Sequence, residues 1–239
     1  MHQGAGEELK RRAAEQAAER IEDGMVLGLG TGSTVRHLLE VIAERRRAGR
    51  LSAISCIPTS RDTAGRAASL GIPLGTLQDH PSIDLTIDGS DEVDPRLDLI
   101  KGLGGALLRE KIVAAASRRL LIIVDDSKLV SRLGTKAPLP VEVDPFGAAI
   151  QPAFLRSLGA EPVLRQSADG APFVTDGGNH IYDCRFPLGI AEPESLEQEL
   201  NNHPGIIENG LFLGLADEVI VAERGGTRLL ERAAIQRVP

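Results

Sequence analysis

The sequence predicts an α/β fold: a Rossmann-like parallel sheet domain with an inserted smaller ferredoxin-like α+β domain. Three observations carry this expectation. Through residue 124, short apolar runs alternate with amphipathic helical segments, an order that builds a parallel sheet covered by helices on both faces. From residue 139 the order becomes strand, helix, strand, strand, helix, strand, the βαββαβ signature of a ferredoxin-like module. A further apolar strand at 217–222 follows that module, so the chain is expected to return to the first sheet. The expected boundaries are therefore 1–136 and 214–239 for the α/β domain and 137–213 for the small domain.

Each element has its own warrant. Residues 7–21 form a charged amphipathic helix, and MVLGL at 25–29 is a short buried strand. Val35, Leu38, Leu39 and Ile42 recur at helical spacing after a glycine turn. Strand 51–57, helix 60–70, strand 83–87, helix 105–117 and strand 120–124 follow. In the small domain the reading gives strand 139–143, helix 146–158, strands 161–165 and 179–186, helix 194–202 and strand 205–213. ADGAP at 168–172 and DGG at 176–178 suit a hairpin with a long loop.

Composition narrows the function classes. The 239 residues are 42% hydrophobic but only 3% aromatic, without tryptophan, so the core must rest on Ala, Val, Leu and Ile. A net charge of -7 argues against nucleic acid or an anionic membrane as partner. Cys56 and Cys184 belong to no CxxC or Cys/His cluster and read as buried free thiols. His2, His37, His80, His180 and His203 lack metal-ligand spacing, so no metal site is expected. The N-terminal region has no apolar core for a secretory signal and no run approaches membrane-spanning length, which predicts a cytoplasmic protein.

Chemistry concentrates in four segments. GALLREKIVAAA at 105–116 reads as a largely enclosed helix whose only charges are Arg109, Glu110 and Lys111. One turn from Glu110 stand Ala106, Leu107, Val113 and Ala114. A carboxylate so placed loses solvation, gains proton affinity and suits general acid–base catalysis; a solvated or salt-bridged helix residue is the alternative. GLGTGST at 28–34 joins a strand to a helix, where glycines admit a ligand and helix amides favour an anion. Thr31, Ser33 and Thr34 add hydroxyls there, although the same turn could simply be a tight connection. No Lys precedes a Ser or Thr as a Walker A loop needs, and Ser33 stands where the dinucleotide fingerprint needs a glycine. The second strand ends in Pro58-Thr-Ser without an acidic residue for a ribose, so NAD is not expected.

DGSDEVD at 88–94 follows a strand at the sheet edge where ligands collect. Its carboxylates could move protons, bind a metal or face water, but EF-hand spacing fails. Lys101 lies between this loop and Glu110 and suits a substrate oxyanion. Lys128, in DDSK at 125–128, follows the fourth strand and could meet phosphate as a point charge.

Taken together, GTGST at 30–34, DGSDEVD at 88–94, KGLGGALLREKI at 101–112, DDSK at 125–128, LPVEV at 139–143 and TDGGNHIYD at 175–183 resemble the type A ribose-5-phosphate isomerases. The ordered blocks cover nearly the whole chain and are far more specific than any one block. The resemblance implies an aldose–ketose isomerase interconverting D-ribose 5-phosphate and D-ribulose 5-phosphate through an enediolate, in the non-oxidative pentose phosphate pathway, without metal or organic cofactor. It implies Glu110 as the base that moves a proton between C2 and C1, and Lys101 as the cation that steadies the oxyanion. Asp88 and Asp91 would hold sugar hydroxyls, Asp88 also assisting ring opening. The implied substrate contacts further include Thr31, Gly32, Ser33, Thr34, Gly89, Ser90, Gly102, Leu103, Gly104, Lys128 and Lys10. Among them Ser33, Thr34, Lys128 and Lys10 would serve the phosphate. Leu103 departs from the family's usual KGGG turn, which leaves the path of that loop open. A homodimer or homotetramer is a further implication. A noncatalytic sugar-phosphate sensor is the rival reading, but about two dozen residues before the first strand leave no room for a helix-turn-helix DNA reader.

Overall fold

The computed structural model describes residues 2–232. Residues 233–239 of the expected 214–239 segment, and the side chains of residues 2–5 with that of His2, lie outside the described residues. Along the chain run α1 (His2–Ala18), β1 (Val26–Leu29), α2 (Ser33–Arg47), β2 (Ser55–Pro58), α3 (Arg61–Ser69) and β3 (Leu85–Asp88). Two very short strands follow, β4 (Glu92–Val93) and β5 (Leu99–Ile100), then α4 (Leu107–Ala115), β6 (Leu120–Asp125) and a 3₁₀ turn at Asp126–Lys128. Next come β7 (Leu139–Val143), a 3₁₀ turn at Ala148–Ile150, α5 (Gln151–Ser157), β8 (Glu161–Leu164), β9 (His180–Arg185) and α6 (Pro193–Asn201). The chain ends in β10 (Ile206–Asn209), β11 (Leu211–Phe212), β12 (Glu218–Glu223) and β13 (Gly226–Glu231). It divides into two compact units, one formed by the chain up to Gly89, Ile112–Lys128 and the stretch from Gly214 on, the other by Ser90–Lys111 and Leu129–Leu213.

The first unit holds a six-stranded sheet in the order β13-β12-β6-β3-β1-β2. Every pairing is parallel except that of β13 with β12. The β-branched and Leu-rich strands Leu27, Leu29, Leu85, Ile87, Leu121, Ile123 and Ile220 pack with Leu38, Leu39 and Ile42 of α2. Ala13, Ala14 and Ala17 on α1 are fully buried in the same cluster, the small side chains letting that helix approach closely. The strand order reverses about β1, because β2 lies on one side of it and β3 on the other. This is the topological switch point, where the carboxyl ends of neighbouring strands leave room for a ligand.

The second unit contains an antiparallel sheet in the order β10-β7-β9-β8. Counted within the βαββαβ module, that is fourth, first, third, second, the ferredoxin-like arrangement. Val141, Val143, Tyr182 and Cys184 from this sheet share a core with Leu155 of α5 and Leu196 and Leu200 of α6. A separate three-stranded sheet, β11-β5-β4, belongs to the same unit.

Several boundaries differ from the sequence reading. Strand 51–57 begins only at Ser55, although Leu51 and Ile54 are buried. Helix 105–117 shortens to Leu107–Ala115: at its start Gly105 adopts a φ of 79°, a left-handed value that a helix cannot use, and at its end Ser117 forms a parallel bridge with Ile83 instead. Nor is α4 enclosed all round, since Ile112 is 46% exposed. Helix 146–158 splits into the 3₁₀ turn and α5, with a proline in the first turn of α5 and Phe146 fully solvent-exposed. Strand 205–213 breaks at Gly210 into β10 and β11, which pair in different sheets. No helix among the described residues is long and apolar enough to cross a membrane.

Candidate active site

In the first unit, the turn after β1 is shaped by Asp88 at the end of β3. Gly30 donates its N–H to the Ile87 carbonyl at 3.0 Å, and a Cβ on Gly30 would fall inside the Asp88 carboxylate. Glycine is therefore required there by space. The Asp88 Oδ1 accepts the N–H of Thr31 at 3.1 Å and of Gly89 at 2.7 Å, and the residue is buried. Beneath the turn the Thr31 hydroxyl meets Thr59 Oγ1 at 2.8 Å and donates to Ser60 Oγ at 2.9 Å. Thr63 Oγ1 donates to the Gly30 carbonyl at 2.8 Å. Gly32 then turns with a φ of 124°, and Ser33 and Thr34 open α2, where the first-turn amides have no helical acceptor. Neither hydroxyl caps the helix: α2 begins with no side-chain cap.

In the second unit, Lys101 is fixed by the backbone before its side chain is considered. Ile100 pairs with Leu211, and the Lys101 N–H donates to the Gly210 carbonyl at 2.9 Å. A Cβ on Gly210 would strike the Lys101 carbonyl, which is why the strand breaks at a glycine. The turn 102–105 carries positive φ at Gly102 and Gly105 and closes with the Gly105 N–H on the Gly102 carbonyl at 2.9 Å. Five residues later Glu110 lies in the first turn of α4, where helix amides favour a negative charge. Lys101 Nζ donates to Glu110 Oε1 at 3.2 Å, with the two residues only 3% and 4% exposed. The ammonium also stands 5.5 Å from the centroid of the Phe212 ring. The two sequence readings of Glu110 thus merge, since the carboxylate is both buried and ion-paired. A buried pair of this kind is costly to desolvate and is offset by its own attraction. Chemically, it joins a group that can take up a proton to a cation that can meet a developing negative oxygen.

The other sequence-predicted positions distribute as follows. Asp91 Oδ2 accepts the Leu103 N–H at 3.0 Å, and Ser90 Oγ donates to the carbonyls of Glu92 and Ile100. Leu103 has no positive φ and its side chain is 42% exposed, so the turn uses its backbone and tolerates leucine. Gly104 is exposed beside it. Lys128 ends the 3₁₀ turn after β6 half-buried and makes no ion pair among the described residues. Lys10 pairs with Glu7 at 2.7 Å; this ammonium, ahead of the His37 imidazole, holds the Glu7 carboxyl below its usual range. Sequence reasoning missed Thr59, Ser60 and Thr63. Their only signal is the hydroxyl-rich run after β2, read there merely for its lack of an acid. It also missed Arg165, whose Nη1 reaches the carbonyls of Gly102 and Leu103.

Together these features define an α/β protein of the doubly wound kind with a ferredoxin-like module in its second unit. The chain belongs to the ribose 5-phosphate isomerase A (phosphoriboisomerase A) family, whose model matches residues 55–226. It is 56% identical over 227 residues to the ribose-5-phosphate isomerase A of Gloeobacter violaceus, covering 95% of this chain and 97% of that one. The Roseiflexus castenholzii protein of the same name is 52% identical over 222 residues, 93% of this chain and 94% of its own. A solved D-ribose-5-phosphate isomerase in complex with phospho-erythronic acid superposes with a TM-score of 0.92 at 43% identity, covering 95% and 99% of the two chains. The ribose 5-phosphate isomerase of Plasmodium falciparum also gives 0.92, at 37% identity and 95% and 100% coverage.

Proposed function

We propose that this protein interconverts D-ribose 5-phosphate and D-ribulose 5-phosphate, with Glu110 as the proton carrier. The observation that carries the reading is the buried Lys101–Glu110 pair at 3.2 Å, which supplies the two groups an enediolate route needs. In the forward direction the C2–H bond of the open aldose breaks and its proton passes to the Glu110 carboxylate, while the electron pair moves through C1 onto O1. The Lys101 ammonium neutralises that charge as it grows. The O2 hydroxyl proton is given up as O1 becomes the alcohol, and the carboxylic acid returns a proton to C1. Asp88 and Asp91 take sugar hydroxyls, with Asp88 assisting ring opening. Thr31, Gly32, Ser33 and Thr34 form the substrate loop, and Ser33, Thr34, Lys128 and Lys10 serve the phosphate. Gly89, Ser90, Gly102, Leu103 and Gly104 line the sugar.

The reaction as written needs no metal or organic cofactor. A cytoplasmic homodimer or homotetramer is part of the same proposal and follows from the family resemblance. The test is an isomerase assay on chelator-treated protein. Wild type is expected to turn over ribose 5-phosphate, and Glu110→Gln to lose roughly 10²-fold or more in kcat while binding substrate nearly as before. Unchanged turnover in the variant would remove Glu110 from its role.

A further inference from the structure

Arg165 stands just past β8, outside every motif that drew attention in the sequence, yet it grips the turn between Lys101 and Glu110. Its Nη1 donates to the carbonyls of Gly102 at 3.0 Å and Leu103 at 3.1 Å. Its other edge is held by Asp183 of β9, Nε to Oδ2 at 2.9 Å and Nη2 to Oδ1, a bidentate pairing that fixes the guanidinium plane. One face of the guanidinium lies 5.6 Å from the centroid of the Phe173 ring. That ring closes the space beside Gly105, where a Cβ would approach Phe173 Cζ to 2.5 Å. The side chain of Arg165 is only 12% exposed, so the charge is held in place at a cost its partners must offset.

A trans peptide places its C=O and N–H on opposite edges. The Gly102–Leu103 peptide is therefore clamped from both sides, its carbonyl by Arg165 and its N–H by Asp91. The next carbonyl, of Leu103, is taken by the same nitrogen of Arg165, which sets the plane of the following peptide as well. Lys101 is tied at its N–H to Gly210, and Glu110 is tied into α4. The turn between them is the one segment of this stretch without a sheet or helix of its own to hold it.

We infer that Arg165, braced by Asp183, is a positioning residue for the isomerisation: it fixes the turn 102–105 and thereby the aim of Lys101 toward Glu110. The inference rests on the isomerase reading above. A lysine would not replace it, because a point charge cannot bind two carbonyls and a bidentate carboxylate together. Misplacement of reacting groups by about 1 Å can cost roughly 10²-fold in rate.

The experiment compares wild type with Arg165→Lys, Arg165→Met and Asp183→Asn in full-length protein. Steady-state kinetics are paired with hydrogen exchange at the Leu103 and Gly105 amides. The expected result is a kcat lowered by about 10- to 100-fold in Arg165→Met, with KM changed by less than about threefold. Arg165→Lys and Asp183→Asn fall between, and exchange is accelerated at 103 and 105 while the rest of the protein stays protected. Wild-type kcat in both Arg165→Lys and Asp183→Asn would overturn the inference, as would a loss of activity matched by exchange rising everywhere. Arg165→Met is the variant at greatest risk of failing to fold, and the two milder substitutions decide the matter alone. Should wild type itself not isomerise ribose 5-phosphate, the isomerase reading fails. The exchange data then still report whether Arg165 fixes the turn.

Discussion

The turn after β1 and the turn after β5 are both built on glycines, but opposite charges shape them. Asp88 gathers N–H groups, from Thr31 and Gly89, and fills the space that a side chain on Gly30 would need. Arg165 gathers carbonyls, from Gly102 and Leu103, while Asp91 takes one amide. In the first turn the shaping group is itself an expected sugar ligand, so shape and binding cannot be altered separately. In the second, the proposed chemistry falls to Lys101 and Glu110 and the inferred bracing to Arg165, so mutation can separate the two.

The sharpest break of that comparison is Lys101→Met. Removing the ammonium leaves Glu110 buried without its cation, and the variant should lose at least about 10²-fold in kcat and about 3 kcal/mol in stability. Denaturant unfolding alongside the kinetics checks both numbers. A variant as stable as wild type would mean that the buried pair carries little of the folding energy.

Gly30→Ala probes the first turn. The new methyl must displace Asp88, so stability should fall by about 2 kcal/mol and KM should rise together with a loss of kcat. A rise in KM alone, with native stability, would show that Asp88 can move aside and that the turn is less tightly packed than described.

The smallest effect is expected away from both turns. Burial pushes the thiols of Cys56 and Cys184 up to about 12. Both should stay protonated and unreactive toward a thiol reagent in the native protein at pH 8, and label only on unfolding. The linkage has a definite sign. The unfolded thiols ionise near 9.0 and the folded ones near 12, so their contribution is complete below pH 9 and declines as pH rises toward 12. Rapid native labelling would contradict the packing around one of these strands.

How much of this was legible follows from where each group's partners lie in the chain. Short runs such as LLIIV declare a buried strand by themselves, and the βαββαβ order declares the second module. Asp88 could be singled out because it ends a strand at the sheet's ligand edge, although one of the two amides it accepts is 57 residues away. Arg165 offers no such local sign, and its carbonyl partners lie 62 and 63 residues back. The strands β4 and β5, at two residues each, are too short for any alternation to show. The edge strand β13, GTRLLE, lacks a continuous apolar run and passed unseen. Gly210 is invisible as a strand break until the Lys101 carbonyl is found against it.

The central claim is most directly tested by running the reaction in D₂O and following deuterium at C1 of the ribulose 5-phosphate formed, with wild type and Glu110→Gln side by side. Wild type should form ribulose 5-phosphate whose C1 carries hydrogen transferred from C2 together with deuterium that exchanged onto the Glu110 carboxyl, and the variant should slow formation of that product by roughly 10²-fold or more while still binding the sugar phosphate. Incorporation by Glu110→Gln at the wild-type rate would contradict the account.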